Sequence, residues 1–213
     1  MRIVDRLASA QGLRTQDANR AVAKDCVARP ELMTEIADSL TSQDHLLAGD
    51  CAEVMTKVAE TRPDLVAPHA EALHAHLTHK NGRVRWEAAH ALALVAPLVP
   101  GLVERELNQL TQIIAKDKSV IVRDYLIDAV GAYGTTGPRA ADRAFPVLRD
   151  ALTAWEGKHA ARTLAALGRL VAVQPSLAKR TADLARGFLT HDRPGIRKAA
   201  KVALRAAEGP ERR

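Results

Sequence analysis

Apolar residues return along this chain at offsets 0, 4, 7, 8 and 11, and the set recurs every 37 or 38 positions. The first column reads Leu47, Val84, Val122, His159 and Ile196. Four positions on stand Cys51, Ala88, Leu126, Thr163 and Ala200. Three further on come Val54, Ala91, Ala129, Ala166 and Ala203, then Met55, Leu92, Val130, Leu167 and Leu204. The last column is Val58, Val95, Tyr133, Leu170 and Ala207. These offsets trace one face of an α-helix. A second series lies between them: Leu73 and Leu77 recur as Leu110 and Ile114, then as Leu148 and Leu152, and Leu184 with Phe188 continues it. Each period is therefore a pair of helices. Nothing alternates with period two over a useful length, so no sheet is predicted.

Prolines punctuate the pattern at Pro30, Pro63, Pro100, Pro138 and Pro175. Proline lacks the N–H donor and clashes with the preceding turn, so each marks a helix stop. The units run roughly 1–30, 31–63, 64–100, 101–138, 139–175 and 176–210, about six helix pairs in one repeat domain over residues 1–213. The first unit is degenerate, as terminal repeats are, because each must cap an open apolar face. Pro68 stands near a helix start. Pro146 lies further along its helix and predicts a kink or a late start there. Gly131, Gly134 and Gly137 close a helix rather than open a phosphate loop. The alanine column allows close helix–helix approach. The Leu/Met/Val column supplies the packing area, about 1.5–3 kcal/mol per large side chain buried.

Composition agrees. Of 213 residues 47% are apolar and only 3% aromatic, so the core must be built of Ala, Val and Leu, which suits packed helices. No apolar run reaches the ~18 residues of a membrane span. The first residues carry charges at Arg2, Asp5 and Arg6 and do not read as a secretory signal. Cys26 and Cys51 make neither a disulfide framework nor a metal spacing and are expected to be buried, in a reduced, cytoplasmic setting.

The stretch Asp117-x4-Val122-Arg123 resembles the HEAT-repeat signature, with an Asp in the turn of the pair and Val-Arg opening its second helix. Phe145-Pro146-Val147-Leu148 resembles the proline-bearing first helix of such repeats, and His191 to Arg197 is a shortened copy of the turn. The likeness covers residues 31–207. It implies an all-α, right-handed α-α superhelix, an armadillo-like α-solenoid. It also implies that Arg85, Arg123 and Arg197 stack as a ladder between neighbouring repeats, broken where Ala48 and Ala160 take the slot.

Function is sought in what does not recur. Residues 1–138 hold 15 Lys/Arg against 18 Asp/Glu, and residues 139–213 hold 16 against 7. Second helices of a solenoid line a concave groove, so the positions outside the packed columns are expected there: Arg162, Arg169, Lys198, Lys201 and Arg205 towards one end. Asp50, Glu53, Glu87, Asp124 and Asp128 would lie towards the other. Trp86 and His90 stand among them as candidate binding residues. Trp155, in the turn Ala154-Trp155-Glu156-Gly157, is expected to fold back over a helix end. Histidines cluster at His69, His74, His76, His79 and His90, but no Cys, Asp or Glu completes a metal site beside the His76/His79 pair. No catalytic residues, metal or cofactor are expected. HEAT-like alkylpurine DNA glycosylases use Trp, Asp and Arg in such a groove, yet His90, not an Asp, follows Trp86 by four. The expected function is a non-enzymatic scaffold or adaptor holding a protein or peptide partner in the groove. The alternatives are a nucleic-acid-binding HEAT-like protein using the basic C-terminal face, or a relative of those glycosylases.

Overall fold

A computed structural model of the chain describes residues 2–13 and 15–209. Met1 and Pro210, the outer bounds of the first and last predicted units, lie outside the described residues. All regular structure described is helical. The α-helices are α1 (Asp17–Ala28), α2 (Leu32–Asp38), α3 (His45–Ala59), α4 (Pro63–Val66), α5 (Ala70–Ala75) and α6 (Gly82–Val95). They continue as α7 (Pro100–Lys116), α8 (Val120–Gly134), α9 (Pro138–Gly157), α10 (Ala160–Val173), α11 (Ala178–Arg186) and α12 (Pro194–Glu208). Short 3-10 turns flank them, and the first pair opens on one, Ile3–Arg6, rather than on an α-helix. The second helices are α1, α3, α6, α8, α10 and α12. The chain divides into two compact units, Met1–Leu102 and Val103–Arg213, with the boundary inside α7.

The spaced prolines start helices as well as stop them. Pro63, Pro100, Pro138 and Pro194 are the first residues of α4, α7, α9 and α12, where the missing N–H has no partner to lose. Pro146 departs from expectation. Helix α9 runs through it, and the non-helical residues are Ala154, Trp155 and Glu156. Three second helices have a side-chain N-cap at matching places. Asp44 accepts from Leu46 N (2.9 Å), Asn81 from Arg83 N (2.9 Å) and Ser119 from Val122 N (3.4 Å).

The columns are the core of each unit. In the first unit Cys51, Val54, Met55, Val58, Val84, Ala88, Ala91 and Val95 are 0% exposed. In the second, Val122, Leu126, Ala129, Val130, Leu164, Ala166, Leu167 and Leu170 are too. The pattern loosens at its ends: Leu47, Leu204 and Ala207 are half-buried, and in the last pair Leu184 and Phe188 are half-buried while Ala185 is fully covered. Small residues set the helix spacing. A Cβ on Gly131 would lie 2.8 Å from the Ala166 Cβ, and one on Gly134 only 2.5 Å from Leu170 Cδ2. These two positions of α8 admit α10 and α9 because they have no side chain.

The arginines of the Val-Arg step bind within their own pair. Arg85 donates to the carbonyls of His79 (2.8 Å) and Lys80 (3.3 Å), and Arg197 to those of His191 (2.7 Å) and Asp192 (2.8 Å). Arg123 donates to the Asp117 carbonyl. Each guanidinium thus reaches back six residues and satisfies carbonyls of the turn between its two helices. The expected ladder between repeats is replaced by a latch within each repeat. Arg123 also makes contacts one repeat on, to His159 and Trp155.

Candidate functional site

The first unit holds a buried ionic cluster. Asp50 and Glu53 lie on α3, three apart and so on one helix face. They are 2% and 1% exposed. The Asp50 Oδ1 accepts from Asn19 Nδ2 (2.9 Å) and Arg83 Nη2 (2.8 Å), and its Oδ2 from Ser9 N (2.7 Å). The Glu53 Oε2 accepts from the same Asn19 Nδ2 (2.9 Å) and the same Arg83 Nη2 (2.5 Å). Asn19, itself fully buried, also accepts from Ala8 N (3.0 Å). Three repeats are thereby tied: the first through Ser9 and Asn19, the second through the acids, the third through Arg83. Burial alone would push the Asp50 carboxyl up, but hydrogen bonds from Ser9, Asn19 and Arg83 outweigh it and hold it below its ordinary range. Glu87, half-buried on α6, goes the other way: burial raises it, and the Glu53 charge raises it further.

Two surface recesses open along α1 and α3, the first of them against this cluster. One, of about 450 Å³, has Asn19, Asp50 and Arg83 in its wall and the exposed Leu13 and Leu46 at its edge. The other, of about 460 Å³, is lined by Arg20, Ala23, Lys24, Val27, Lys57 and Thr61.

In the second unit the buried groups have the opposite charge. Arg123 is 1% exposed and stacks on Trp155, with its guanidinium carbon 3.8 Å from the ring centroid. Its Nε donates to His159 Nε2 (2.8 Å), so that nitrogen is the acceptor and the imidazole proton sits on Nδ1. Nδ1 then donates to Asp124 Oδ1 (2.7 Å). Arg162 pairs with Asp128 and reaches Asp124 (3.4 Å). Burial raises the Asp128 carboxyl, and the Arg162 charge pulls it partly back. The Trp155 ring donates from Nε1 to the Ile114 carbonyl (3.1 Å), near the end of α7. Trp155 and Glu156 hold φ of 52° and 57°, a left-handed conformation unfavourable for non-glycine residues, and the arginine stack and indole hydrogen bond pin it.

The candidate residues fall into three groups. Trp86 and His90 are half-buried on α6, four apart and flanking the face that carries Glu87. Arg162 is tied to two aspartates. Arg169 is exposed on α10, and Lys198, Lys201 and Arg205 are exposed on α12. The acids expected beside them in the groove are corrected: Asp50 and Glu53 are interior, 2% and 1% exposed, and share the single guanidinium of Arg83 and the amide of Asn19. Sequence pattern missed this cluster. Its one signal was that Asp50 and Glu53 interrupt an otherwise apolar helix, GDCAEVM.

The α12 residues are placed by their column. The positions equivalent to Lys201 are Ala52, Ala89, Ile127 and Leu164, all 0% exposed. Those equivalent to Arg205 include Gly131 and Gly168, which touch the following second helix through Ala166 and Ala203. On α12 the face that elsewhere receives another helix is thus charged.

Other chemistry is sparse. Among the described residues no group of His, Cys, Asp and Glu is arranged to hold a metal ion. No described helix is long and apolar enough to cross a membrane. The thiols of Cys26 and Cys51 are buried and pushed up to about 11 and about 12, which leaves them protonated near neutrality.

No protein-family model matches the chain. No curated protein matches it in sequence either. Solved structures do match in fold. An engineered protein from a structural genomics consortium aligns with a TM-score of 0.69 at 19% identity, over 98% of this chain and 99% of that one. A designed armadillo repeat protein aligns at 0.65 and 15% identity, over 96% and 98%. Another, solved in complex with the peptide (KR)4, aligns at 0.66 and 17% identity, over 96% and 98%. The fold is therefore that of an all-α, armadillo/HEAT-like solenoid.

Proposed function

We propose that this chain is a scaffold that holds a protein or peptide partner on the surface formed by its second helices. The observation that carries the reading is the pair of recesses of about 450 and 460 Å³ that lie one after the other along α1 and α3. An extended chain laid along two parallel second helices meets both. In the third repeat Trp86 and His90 are half-buried on α6, at the positions that Gly49 and Glu53 hold in α3. The similarly folded designed protein in complex with (KR)4 gives a precedent for a peptide on such a fold. The interior charges fit a structural role, since the acids and bases of both clusters are bonded to one another.

The nucleic-acid reading has less behind it. Arg162 is neutralised by two aspartates, and Lys201 and Arg205 occupy a face that elsewhere meets another helix. Selection of a displayed peptide library on the full chain tests the scaffold reading. Enriched binders that lose about tenfold in affinity with Trp86→Ala or Leu46→Glu support it. A library that yields no binder overturns it.

A further inference from the structure

The second recess differs from the first in chemistry, and the difference names a partner. Its floor is apolar: Ala23 is 5% exposed and Val27 half-buried. Thr61 turns its hydroxyl onto the Val58 carbonyl (3.3 Å) and so closes the end of α3. The rim is cationic. Arg20 and Lys24 stand four apart on one face of α1, and Lys57 faces them from α3. Arg20 and Lys24 are exposed. The acids near this rim are themselves at the surface: Asp17 is 3.5 Å from Arg20 with its side chain 80% exposed, and Glu60 is 3.2 Å from Lys57. Such exposed pairs contribute about 0–1 kcal/mol and exchange readily for an incoming carboxylate. The cationic rim is local, because residues 1–138 carry more acids than bases.

We infer that this recess holds an apolar side chain of a peptide whose neighbouring residues are carboxylates. The inference rests on the scaffold reading and says which sequence that scaffold selects at this point. A volume of about 460 Å³ sits at the lower end of the ~300–1,000 Å³ typical of ligand pockets, so it suits a side chain with its flanks. The apolar floor disfavours a bare inorganic anion, which would leave Val27 and Ala23 uncovered. Continuity favours a chain. From Asp50 to Lys57 is seven residues of α3, about 10 Å at 1.5 Å per residue. That is the span of about three residues of extended peptide. A single strand can therefore occupy both recesses, with carboxylates at the Arg20–Lys24–Lys57 end.

The test uses the full chain and three labelled probes that share one backbone length: one built around Glu-Leu-Glu, its charge-reversed Lys-Leu-Lys form, and Glu-Gly-Glu. Fluorescence anisotropy should show the first binding at least about tenfold more tightly than either other, with affinity falling as salt rises. Lys24→Glu, at an exposed helical site, should remove the preference for Glu-Leu-Glu over Lys-Leu-Lys. Val27→Asp, checked for an unchanged circular dichroism spectrum, should remove the preference for leucine over glycine. Equal affinities of the three probes overturn the inference, as does a preference unmoved by both variants. If the peptide library yields binders that ignore Lys24→Glu and Val27→Asp, this inference falls and the scaffold reading stands; a library without binders removes both. Concentration-dependent dimers that vanish with Lys24→Glu would assign the recess to a second copy of the chain and overturn the peptide assignment.

Discussion

The two units bury charge with opposite sign. In the first, Asp50 and Glu53 are interior and the partly exposed Arg83 covers them. In the second, Arg123 is interior, 1% exposed, beside the equally buried neutral imidazole of His159, and Asp124 and Asp128 stand nearer water with side chains 27% and 31% exposed. Both devices join successive repeats, yet they respond to different perturbations. A buried carboxylate can be neutralised by acid. A buried guanidinium stays charged at any accessible pH, and its needs are met by carbonyl, imidazole and indole.

The largest expected effect follows from removing the shared cation of the first unit. Arg83→Met leaves two carboxylates buried against each other with only Asn19 and Ser9 to bond. The cost should be about 3–5 kcal/mol, read as a fall in the urea midpoint. Adding Asp50→Asn and Glu53→Gln to that variant should recover most of it, since the uncompensated charge is then gone. In the second unit Arg162→Met should cost no more than about 1 kcal/mol, because its aspartates are partly solvated. A larger loss from Arg162 than from Arg83 would invert the comparison.

Next in size is Arg123→Met. It strips a donor from the Asp117 carbonyl and from His159 Nε2, and removes the partner of the Trp155 ring. Buried acceptors left bare cost about 1–3 kcal/mol each, so a loss of about 2–3 kcal/mol is expected. Near-ultraviolet dichroism should change with it, as the strained turn at Trp155 loses its stack. An unchanged spectrum would remove the pinning role argued for Arg123.

Acid should act with two signs within the first unit. The Asp50 carboxyl is held below its unfolded value in the folded chain, so its contribution is complete above about pH 4 and is lost as pH falls through the folded value. Glu87 has the reverse sign. Its folded value is raised, so its ionisation opposes folding once pH rises above the ordinary glutamate range. Asp50→Asn should therefore flatten the loss of stability below about pH 4, and Glu87→Gln should raise stability near neutrality. Stability measured from pH 3 to pH 7 in both variants checks the signs. If Asp50→Asn leaves the acid limb unchanged, the hydrogen bonds drawn to that carboxylate do not outweigh its burial.

The repeat was legible because it is written in residue type: an alanine column, a leucine column and prolines at fixed intervals appear without any knowledge of contacts. The buried cluster was not. Asp50, Glu53, Asn19 and Arg83 come from three repeats, and linear pattern cannot say which surface position receives an arginine from 30 residues away. Arg123 misled in another way. Its place in the Val-Arg step suggested a ladder, but the side chain is long enough to fold back six residues onto its own turn, where a helix end offers carbonyls to a donor. Pro146 stands within a helix because α9 already begins at Pro138, two turns earlier, and its kink falls at Ala154 instead.

The smallest effect on stability, and the sharpest on reading the basic end, concerns α12. Lys198, Lys201 and Arg205 are exposed, so replacing them should change stability by no more than about 0.5 kcal/mol. Their column argues for a second consequence. Lys201→Leu with Arg205→Gly rebuilds the surface that Leu164 and Gly168 present to α12 itself, an apolar seam beside a site of close helix approach. The exposed Val202 already lies in that face. The double variant should self-associate as concentration rises in sedimentation, while the parent face stays apart through like charge. If these side chains instead serve phosphate binding, the parent chain binds DNA or RNA with an affinity that falls steeply with salt, and Lys201→Leu flattens that dependence. A double variant that stays monomeric, from a parent that binds nucleic acid in this way, would return Lys198, Lys201 and Arg205 to the nucleic-acid reading and leave the polarity of α12 unexplained by its column.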